Sequence, residues 1–287
     1  MTRKLLLCAI ALVFLCGCIV RPLQELTYEQ SEPGSELRYL LLDPEGVYLS
    51  TLREDYRLLS RIAGATTDLQ RTALLSAWVS GLWVHDPEGI PLRNDPLSIL
   101  WEAAEGGRFR SPEYAQVLSG ALQAVAIPVR FITMHELHIE QTVTSHVVCE
   151  AYMRDLQKWV MVDPRWNRIP LYGGKPLSAY EFQQYMISDP RGITYYQQER
   201  DIRYTRWIRN YLYYLHTNQD CRLNTESYAY KNLMLVPANL PVPRFYSPYH
   251  RELGYLLSEN TSVTRDPYYF NARPVILFDQ EAPDPLQ

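Results

Sequence analysis

The feature that most constrains the fold is the stretch from Ser111 to Asp163, where one helical pattern precedes three strand patterns. After Ser111, apolar residues recur near the 3.6-residue period as far as Val125, and Pro128 closes the segment. Three strand-like segments follow, at residues 129–134, 146–153 and 158–163. The short polar turn RDLQ joins the last two. A helix followed by antiparallel strands predicts an α+β fold.

Further helices are expected on both sides of this stretch. The first convincing one follows Thr66, where a Thr cap and Asp68 in the first turn precede apolar residues at helical spacing. PLSILWEAA, at residues 96–104, indicates a second helix that ends before Gly106. Beyond Arg165, LSAYEFQQYMI and RYTRWIRNYLYYLHTNQD have helical patterns. The Tyr-rich part at 204–215 is expected to pack onto the core, and the alternative is that it lines a peptide or glycan groove.

Composition narrows the class of protein. A hydrophobic content of 47% over 287 residues is enough for an ordinary globular core. The net charge of −4 and the absence of a Lys/Arg run argue against nucleic acid as a partner. HELH, at 135–138, places its histidines three residues apart instead of the four that zinc-binding helices use, so a solvated loop is expected there. Nothing in the sequence predicts a metal or another cofactor.

The N-terminus has the pattern of a secretory signal. Arg3 and Lys4 precede an apolar run from Leu5 to Leu15, which is too short to span a membrane. LCGC, at 15–18, resembles a bacterial lipobox, in which Cys18 becomes the lipidated first residue. We therefore expect a signal peptide at 1–17, a tether and N-terminal segment at 18–65, and a lipid-anchored protein of the bacterial cell envelope that faces the periplasm or the exterior. Loss of Arg3 and Lys4 takes the net charge from −4 to −6.

Three side chains have the order of a catalytic triad. Ser111 opens a helix, His146 opens a strand, and Asp163 ends the neighbouring strand. A helix N-terminus lowers the pKa of a nucleophile and offers N–H groups to a developing oxyanion. A His would act as base, and an Asp would fix its tautomer. Ser111, His146 and Asp163 are therefore the candidate catalytic residues.

These residues lie within a longer motif set. FRSPEYAQVLSGALQAVAIPVRF, SHVVCEAY and KWVMVDPRW together resemble the transglutaminase-like superfamily, which shares its core with papain-type cysteine proteases. The matching positions, across about residues 68–167, are Tyr114-Ala115, Ile127-Pro128-Val129-Arg130, His146 with Glu150, and Trp159 with Asp163-Pro164. The resemblance implies helices packed on an antiparallel sheet at 66–190, followed by a Tyr- and Pro-rich C-terminal extension at 191–287.

Two positions depart from the family pattern. Ala126 stands where the family has Gly, and Ser111 stands where it has the nucleophilic Cys. A thiol with a pKa near 8.5 readily forms a thiolate, whereas a serine hydroxyl has to lose its proton to the His during attack. Cys149 is not expected to replace the nucleophilic Cys, because side chains alternate along a strand and Cys149 therefore points away from His146 and into the core. Whether Cys149 pairs with Cys221 stays open.

The sequence leaves several roles open for Ser111. Because Pro112 and Glu113 follow it, Ser111 suits a helix cap or a vestigial site. A serine nucleophile and a ligand-binding residue are the alternatives. We favour a non-catalytic or weakly active domain that binds a peptide-like or protein partner at the cell envelope. The alternative is a hydrolase or acyltransferase acting on amide or ester bonds through Ser111, His146 and Asp163.

Overall fold

The computed structural model describes residues 23–29, 36–223 and 230–279. Its strands are β1 (Leu37–Leu42), β2 (Val129–His135), β3 (Ser145–Met153), β4 (Lys158–Val162), β5 (Pro170–Tyr172), β6 (Lys175–Pro176), β7 (Ile193–Tyr195), β8 (Tyr214–Thr217), β9 (Asn232–Leu235), β10 (Thr261–Thr264) and β11 (Pro274–Asp279). The predicted signal peptide and Cys18 lie outside the described residues.

The helices surround these strands. They are α1 (Val47–Asp55), α2 (Leu58–Arg61), α3 (Asp68–Ser80), α4 (Pro96–Ala104), α5 (Ser111–Ala124), α6 (Ala179–Ser188), α7 (Ile202–Ile208), α8 (Pro248–Leu253), α9 (Leu257–Asn260) and α10 (Pro267–Phe270). Short 3₁₀ turns lie at Ile139–Gln141 and Arg209–Tyr211. Within the described ranges, no helix has the length and apolar content needed to cross a membrane.

A six-stranded sheet in the order β10-β9-β8-β2-β3-β4 organises the molecule. All its neighbouring strands are antiparallel except β9 and β10. β1 pairs in parallel with β11, and β6-β5-β7 form a small separate sheet. The predicted α+β fold is confirmed, and α4, α5 and β2 to β4 lie where the sequence places them. Residues after 191 supply β8, β9 and β10 to the same sheet.

Each face of the sheet buries a separate apolar cluster. On one face, α5 packs its almost fully buried surface against β3, as at Ala115, Leu118, Cys149 and Ala151. On the other face, the alternate strand positions pack against α6 and α7, as at Val148, Met161, Phe182 and Tyr204. Successive side chains of a strand point to opposite faces, so neighbours in β3 and β4 belong to different clusters.

The end of α5 shows why the family has Gly where this chain has Ala126. The Ala126 N–H donates to the Gln123 carbonyl and the Ile127 N–H donates to the Leu122 carbonyl, both at 2.9 Å, as in a Schellman motif. That ending needs a left-handed residue, and Ala126 has φ = 57°. A side chain in this conformation costs about 1 kcal/mol, which glycine avoids.

Two other motif positions form a fully buried ion pair. The Arg130 guanidinium donates to Glu150 Oε2 through Nε at 2.8 Å and Nη2 at 2.6 Å, and both side chains are 0% exposed. Its Nη1 donates to the Tyr39 hydroxyl and to the Phe270 carbonyl, and its Cζ lies 4.5 Å from the Trp159 ring centre. These contacts join β2 and β3 to both ends of the described chain.

Two helical expectations need correction. The first helix does not follow Thr66, because α1 and α2 precede that residue. Helix α1 begins after Gly46 without a side-chain cap or an acidic residue in its first turn, so the usual signals of a helix start are missing from the sequence. The Tyr-rich segment is helical only to Ile208. Tyr214–Thr217 is buried as a strand beside β2, and this pairing overrides the local helical pattern.

The HELH segment also differs from the expectation. His135 ends β2 and is only 5% exposed, so it does not lie in a solvated loop, whereas His138 is exposed. Burial lowers the pKa of His135 to about 3, and it lowers the pKa of the neighbouring His216 to about 4. Among the described residues, no three His, Cys, Asp or Glu side chains group as metal ligands.

Candidate active site

Asp163 lies at the centre of the candidate site. Its Oδ2 lies 2.6 Å from His146 Nε2 and also accepts the Tyr204 hydroxyl at 2.9 Å. Its Oδ1 accepts the Trp166 N–H at 3.2 Å. Asp163, His146 and Tyr204 are all buried. The carboxylate therefore links β3, its own loop and the C-terminal helix α7.

The His146 ring has one satisfied and one unsatisfied nitrogen. An ionised carboxylate only accepts hydrogen bonds, so Nε2 carries the proton that points to Asp163. Nδ1 is buried and has no hydrogen-bond partner. In the neutral imidazole this nitrogen is a free lone pair, which would accept a proton or an N–H from a ligand.

Ser111 lies at the start of α5 but is not its cap. Arg110 is the N-cap residue, with extended backbone, and Ser111 is the first helical residue. Arg110 pairs with Glu113 at 2.7 Å across the first turn, which shifts the helix start one residue earlier than the Ser-Pro-Glu pattern indicates. The prediction of Ser111 as a cap is wrong. Ser111 is 7% exposed, and its hydroxyl does not bond to His146 Nδ1, which has no partner.

Cys149 lies on the far side of β3 from His146. Its Sγ lies 3.3 Å from the Ala115 carbonyl in α5, and burial raises the pKa of its thiol well above the usual range. Cys221 is also buried and free, and burial raises its pKa to about 12. Cys149 is core packing, as alternation predicts, and neither thiol is a candidate nucleophile.

The loop after β4 is fixed by the same aspartate. Backbone hydrogen bonds join Asp163 to Arg168 in both directions, at 2.8 and 3.0 Å, and Asn167 turns the chain with φ = 50°. The Arg168 guanidinium pairs with Asp201 at 2.8 Å. Asp201 in turn caps α7 by accepting the Tyr204 N–H. The loop and α7 are therefore held together beside the His146–Asp163 pair.

Aromatic residues after 200 cover the imidazole. Trp207 contacts the His146 ring edge to face, with 4.7 Å between ring centres, and Tyr211 lies at 6.1 Å. Trp207 also packs on Trp166 at 5.2 Å. Sequence reasoning named neither Tyr204 nor Trp207 as a site residue, because the Tyr-rich pattern favoured packing onto the core over the alternative of lining a ligand groove.

The site contains polar atoms that the protein leaves unpaired. Besides His146 Nδ1, the indole N–H groups of Trp83 and Trp166 are buried without a hydrogen-bond partner. Trp83 packs on Tyr114, in the first turn of α5, at 4.4 Å. Buried polar groups in proteins are nearly always paired, so each of these unpaired atoms indicates a place for a polar ligand group or a water.

Arg165 and His85 are two further titratable residues near the site. Arg165 is half-buried, and its guanidinium lies 5.0 Å from the Trp207 ring centre and 5.4 Å from that of Trp166. Burial lowers the pKa of Arg165, and nearby Asp163 opposes this effect. Burial also lowers the pKa of His85, helped by Arg165 and His146. Sequence reasoning missed both residues.

A separate cleft lies elsewhere on the domain. Its volume is about 430 Å³, and it is lined by α3 and the 196–198 segment, including Gln70, Asn167 and Gln198. Ser111, His146 and Asp163 are not among its lining residues. The candidate triad and this cleft are therefore distinct places on the molecule.

Solved structures with partial similarity share only a small fraction of the sequence. A candidate cysteine protease from Cytophaga hutchinsonii is 13% identical over 41% of this chain and 38% of its own, with a TM-score of 0.33. A structure described as a TGase is 10% identical over 41% and 30%, with a TM-score of 0.30. A candidate protease from Parabacteroides distasonis is 12% identical over 41% and 29%, with a TM-score of 0.27. The chain thus spans well under half the length of each. No curated protein matches it.

A family model gives the more specific comparison. Residues 56–164 match the model of the transglutaminase-like superfamily. This span contains Ser111, His146 and Asp163 together with the buried Arg130–Glu150 pair. The motif order, the pairing of β2, β3 and β4, and this match agree, and the chain therefore carries a transglutaminase-like domain at residues 56–164.

Proposed function

We propose that this protein is a lipid-anchored component of the bacterial cell envelope whose transglutaminase-like site binds a peptide-like ligand, or such a segment of a partner protein, without efficient turnover. The ligand class follows from the family, because papain-type sites with the same core act on peptide chains. The anchor follows from the signal pattern and from Cys18.

The observation that carries the proposal is the state of His146. Its Nε2 is held by Asp163, but its Nδ1 is buried and does not receive the Ser111 hydroxyl. A serine nucleophile needs that hydrogen bond, because the base has to remove the hydroxyl proton during attack. The free nitrogen and the unpaired indole N–H of Trp166 instead suit a ligand that brings both acceptors and donors.

The chemistry of serine supports the same reading. In a cysteine site the thiolate forms before the substrate arrives, because the thiol pKa is close to neutral and the helix N-terminus lowers it further. A serine hydroxyl is a far weaker acid, and each pKa unit corresponds to about 1.36 kcal/mol. His146 is therefore the base that a serine at position 111 would need, and its Nδ1 does not accept the Ser111 hydroxyl.

Catalysis by Ser111 is the second candidate function, because His146 Nε2 and Asp163 Oδ2 lie 2.6 Å apart, as a catalytic triad requires. A hydrolase or acyltransferase would use Ser111 as nucleophile, His146 as base and Asp163 to orient the imidazole. The Ser111 Oγ would add to the carbonyl carbon of an ester or amide, and its proton would pass through His146 to the leaving group.

The experiment that separates the two functions is covalent labelling of the detergent-solubilised full chain. We expect a fluorophosphonate probe to leave Ser111 unmodified by intact mass and peptide mapping, with Ser111→Ala as the matched control. Labelling of Ser111 that disappears in His146→Ala would establish the hydrolase and overturn the binding function. In parallel, capped pentapeptides should quench tryptophan emission saturably, because Trp166 and Trp207 lie beside His146.

The anchor has an independent test. A Cys18→Ala variant should accumulate as an unprocessed or released protein, whereas the parent chain should fractionate with membranes and incorporate labelled palmitate. Cys16→Ala is the matched control, because Cys16 belongs to the removed signal segment and its loss should leave fractionation unchanged. Membrane fractionation and acylation that persist in Cys18→Ala would refute the lipoprotein assignment.

A further inference from the structure

Arg165 has the features of a ligand-binding residue, because no acidic side chain of the described protein forms an ion pair with its guanidinium. It lies two residues after Asp163, in the loop that the Asp163–Arg168 backbone pair closes. Asp163 Oδ1 also fixes this loop through the Trp166 N–H. The guanidinium therefore has a defined place beside the His146–Asp163 pair.

The charge of Arg165 is not matched by an ion pair. Other arginines of the domain and its flank pair closely with acids, among them Arg110 with Glu113, Arg130 with Glu150, Arg154 with Asp68, and Arg168 with Asp201. In the part of the chain that the structure describes, no carboxylate lies within salt-bridge distance of Arg165, and no hydrogen bond satisfies its five donors. A half-buried guanidinium without an acidic partner is costly unless a ligand provides one.

Aromatic rings hold this guanidinium in place. Trp166 and Trp207 lie 5.4 and 5.0 Å from its Cζ. Cation–π contact stabilises the flat side chain but leaves the N–H donors at its edge available. The exposed Arg203 adds a second positive charge beside Trp166, with its Cζ 5.8 Å from the centre of the Trp166 ring.

The other unpaired atoms specify the rest of the ligand. Trp166, which follows Arg165 in the chain, has a buried indole N–H donor without a hydrogen-bond partner, and so does Trp83, which packs on Tyr114. His146 Nδ1 is a buried acceptor without a partner, and Glu113 Oε2, in the first turn of α5, is a second one. A carboxylate offers up to four acceptor positions, and a backbone N–H provides the donor that His146 lacks.

We propose that Arg165 binds a carboxylate of the ligand, so that the site is specific for an acidic peptide whose carboxylate lies beside the His146–Asp163 pair. This inference rests on the proposed peptide-binding function and adds the substrate class to it. The carboxylate belongs either to an acidic side chain or to a free C-terminus, and the two sources share the same chemistry.

The test compares three probes on the full chain by tryptophan fluorescence: acetyl-Ala-Ala-Glu-Ala-Ala-amide, the same peptide with Gln in place of Glu, and the Gln peptide with a free C-terminus. We expect the parent chain to bind one of the two carboxylate peptides at least 10-fold more tightly than the neutral peptide. Arg165→Gln should remove this preference, and Arg165→Lys should restore part of it. Arg206→Gln, which removes the same charge from an exposed position of α7, should change Kd less than twofold.

The outcomes distinguish the two proposals. Equal affinity for charged and neutral peptides overturns the role of Arg165 but leaves peptide binding standing. No binding of any of the three peptides overturns both. An Arg165→Gln variant that weakens all peptides equally and lowers Tm would show that Arg165 only supports the packing of Trp166 and Trp207.

Discussion

Asp163 Oδ2 accepts hydrogen bonds from two directions, from His146 Nε2 at 2.6 Å and from the Tyr204 hydroxyl at 2.9 Å. The first contact belongs to the domain at 56–164, and the second comes from α7, outside that span. The aspartate that orients the imidazole therefore also anchors the helix that covers it. Any change at this carboxylate should affect both the site and the attachment of α7.

The Tyr204 hydroxyl is expected to contribute measurably to stability. Burial raises the pKa of this phenol well above its usual range, so it stays protonated and donates to Asp163. Tyr204→Phe removes one donor from a buried carboxylate and should lower the free energy of unfolding by about 2 kcal/mol. Tyr211→Phe, on the same face of His146 but without a hydrogen bond to Asp163, is the control and should change it by less than about 0.5 kcal/mol. Urea denaturation followed by fluorescence measures both; equal effects would contradict the role of the hydroxyl.

Restoring the family's nucleophile tests what remains of the reactive site. In Ser111→Cys the new thiol sits in the first turn of a 14-residue helix, which lowers a thiol pKa. If His146 lies within reach, alkylation by iodoacetamide at pH 7 should be about 10-fold faster than in the Ser111→Cys/His146→Ala double variant. Background labelling should be small, because Cys149 and Cys221 are buried with raised pKa values. Equal rates in the two variants would mean that His146 does not act on position 111.

The second departure from the family pattern predicts a stabilising substitution. Ala126 has φ = 57° at the end of α5, a conformation that glycine adopts without strain. Ala126→Gly should therefore raise the free energy of unfolding by about 0.5–1 kcal/mol. The matched control is Ala77→Gly, at an exposed position inside α3, which should lower it by about 1 kcal/mol. A loss of stability in both variants would argue that packing around Ala126 outweighs its backbone strain.

These results show where sequence reasoning succeeds. The patterns of α5 and of β2 to β4 are continuous in the chain and bounded by Pro128 and the RDLQ turn, so local periodicity locates them. His146 and Asp163 lie on adjacent antiparallel strands, and strand pairing brings them together. The same reasoning turns Cys149 away from the site, as observed.

The rest of the site depends on contacts between distant segments. Tyr204 contacts Asp163 and Trp207 contacts His146 because α7 docks beside them, where Arg168 pairs with Asp201, and no local pattern encodes this docking. Arg165 has no distinctive spacing, and its significance comes from its place beside the His146–Asp163 pair without a close ion pair of its own among the described residues. Tyr214–Thr217 continues a helical pattern but becomes a strand, because the edge of β2 is available to it.

The buried ion pair predicts a large loss on removal of one partner. Arg130 and Glu150 are both 0% exposed, and Glu150 Oε1 also accepts the Ala179 N–H at the start of α6 at 2.6 Å. Glu150→Gln leaves the guanidinium charged without a counter-charge and should cost about 3–5 kcal/mol. Glu45→Gln, which removes a partner from the surface pair with Arg53 at 3.9 Å, should cost less than about 0.5 kcal/mol. Comparable losses in the two variants, measured by urea denaturation, would contradict this assignment.

The two buried histidines predict acid sensitivity with a definite sign. The pKa values of His135 and His216 are lowered by burial to about 3 and about 4, whereas an unfolded histidine titrates near 6.5. Between these values the unfolded chain binds more protons, so stability is fully present above about pH 6.5 and falls as the pH decreases. From pH 7.5 to 5.0 each histidine should remove about 2 kcal/mol from the free energy of unfolding.

His135→Leu should reduce the total decrease by about that amount, whereas His138→Gln, at an exposed position, should retain the full decrease. Urea denaturation at pH 7.5, 6.0 and 5.0 measures the decrease, and an unchanged pH dependence in His135→Leu would show that folding does not lower the pKa of His135.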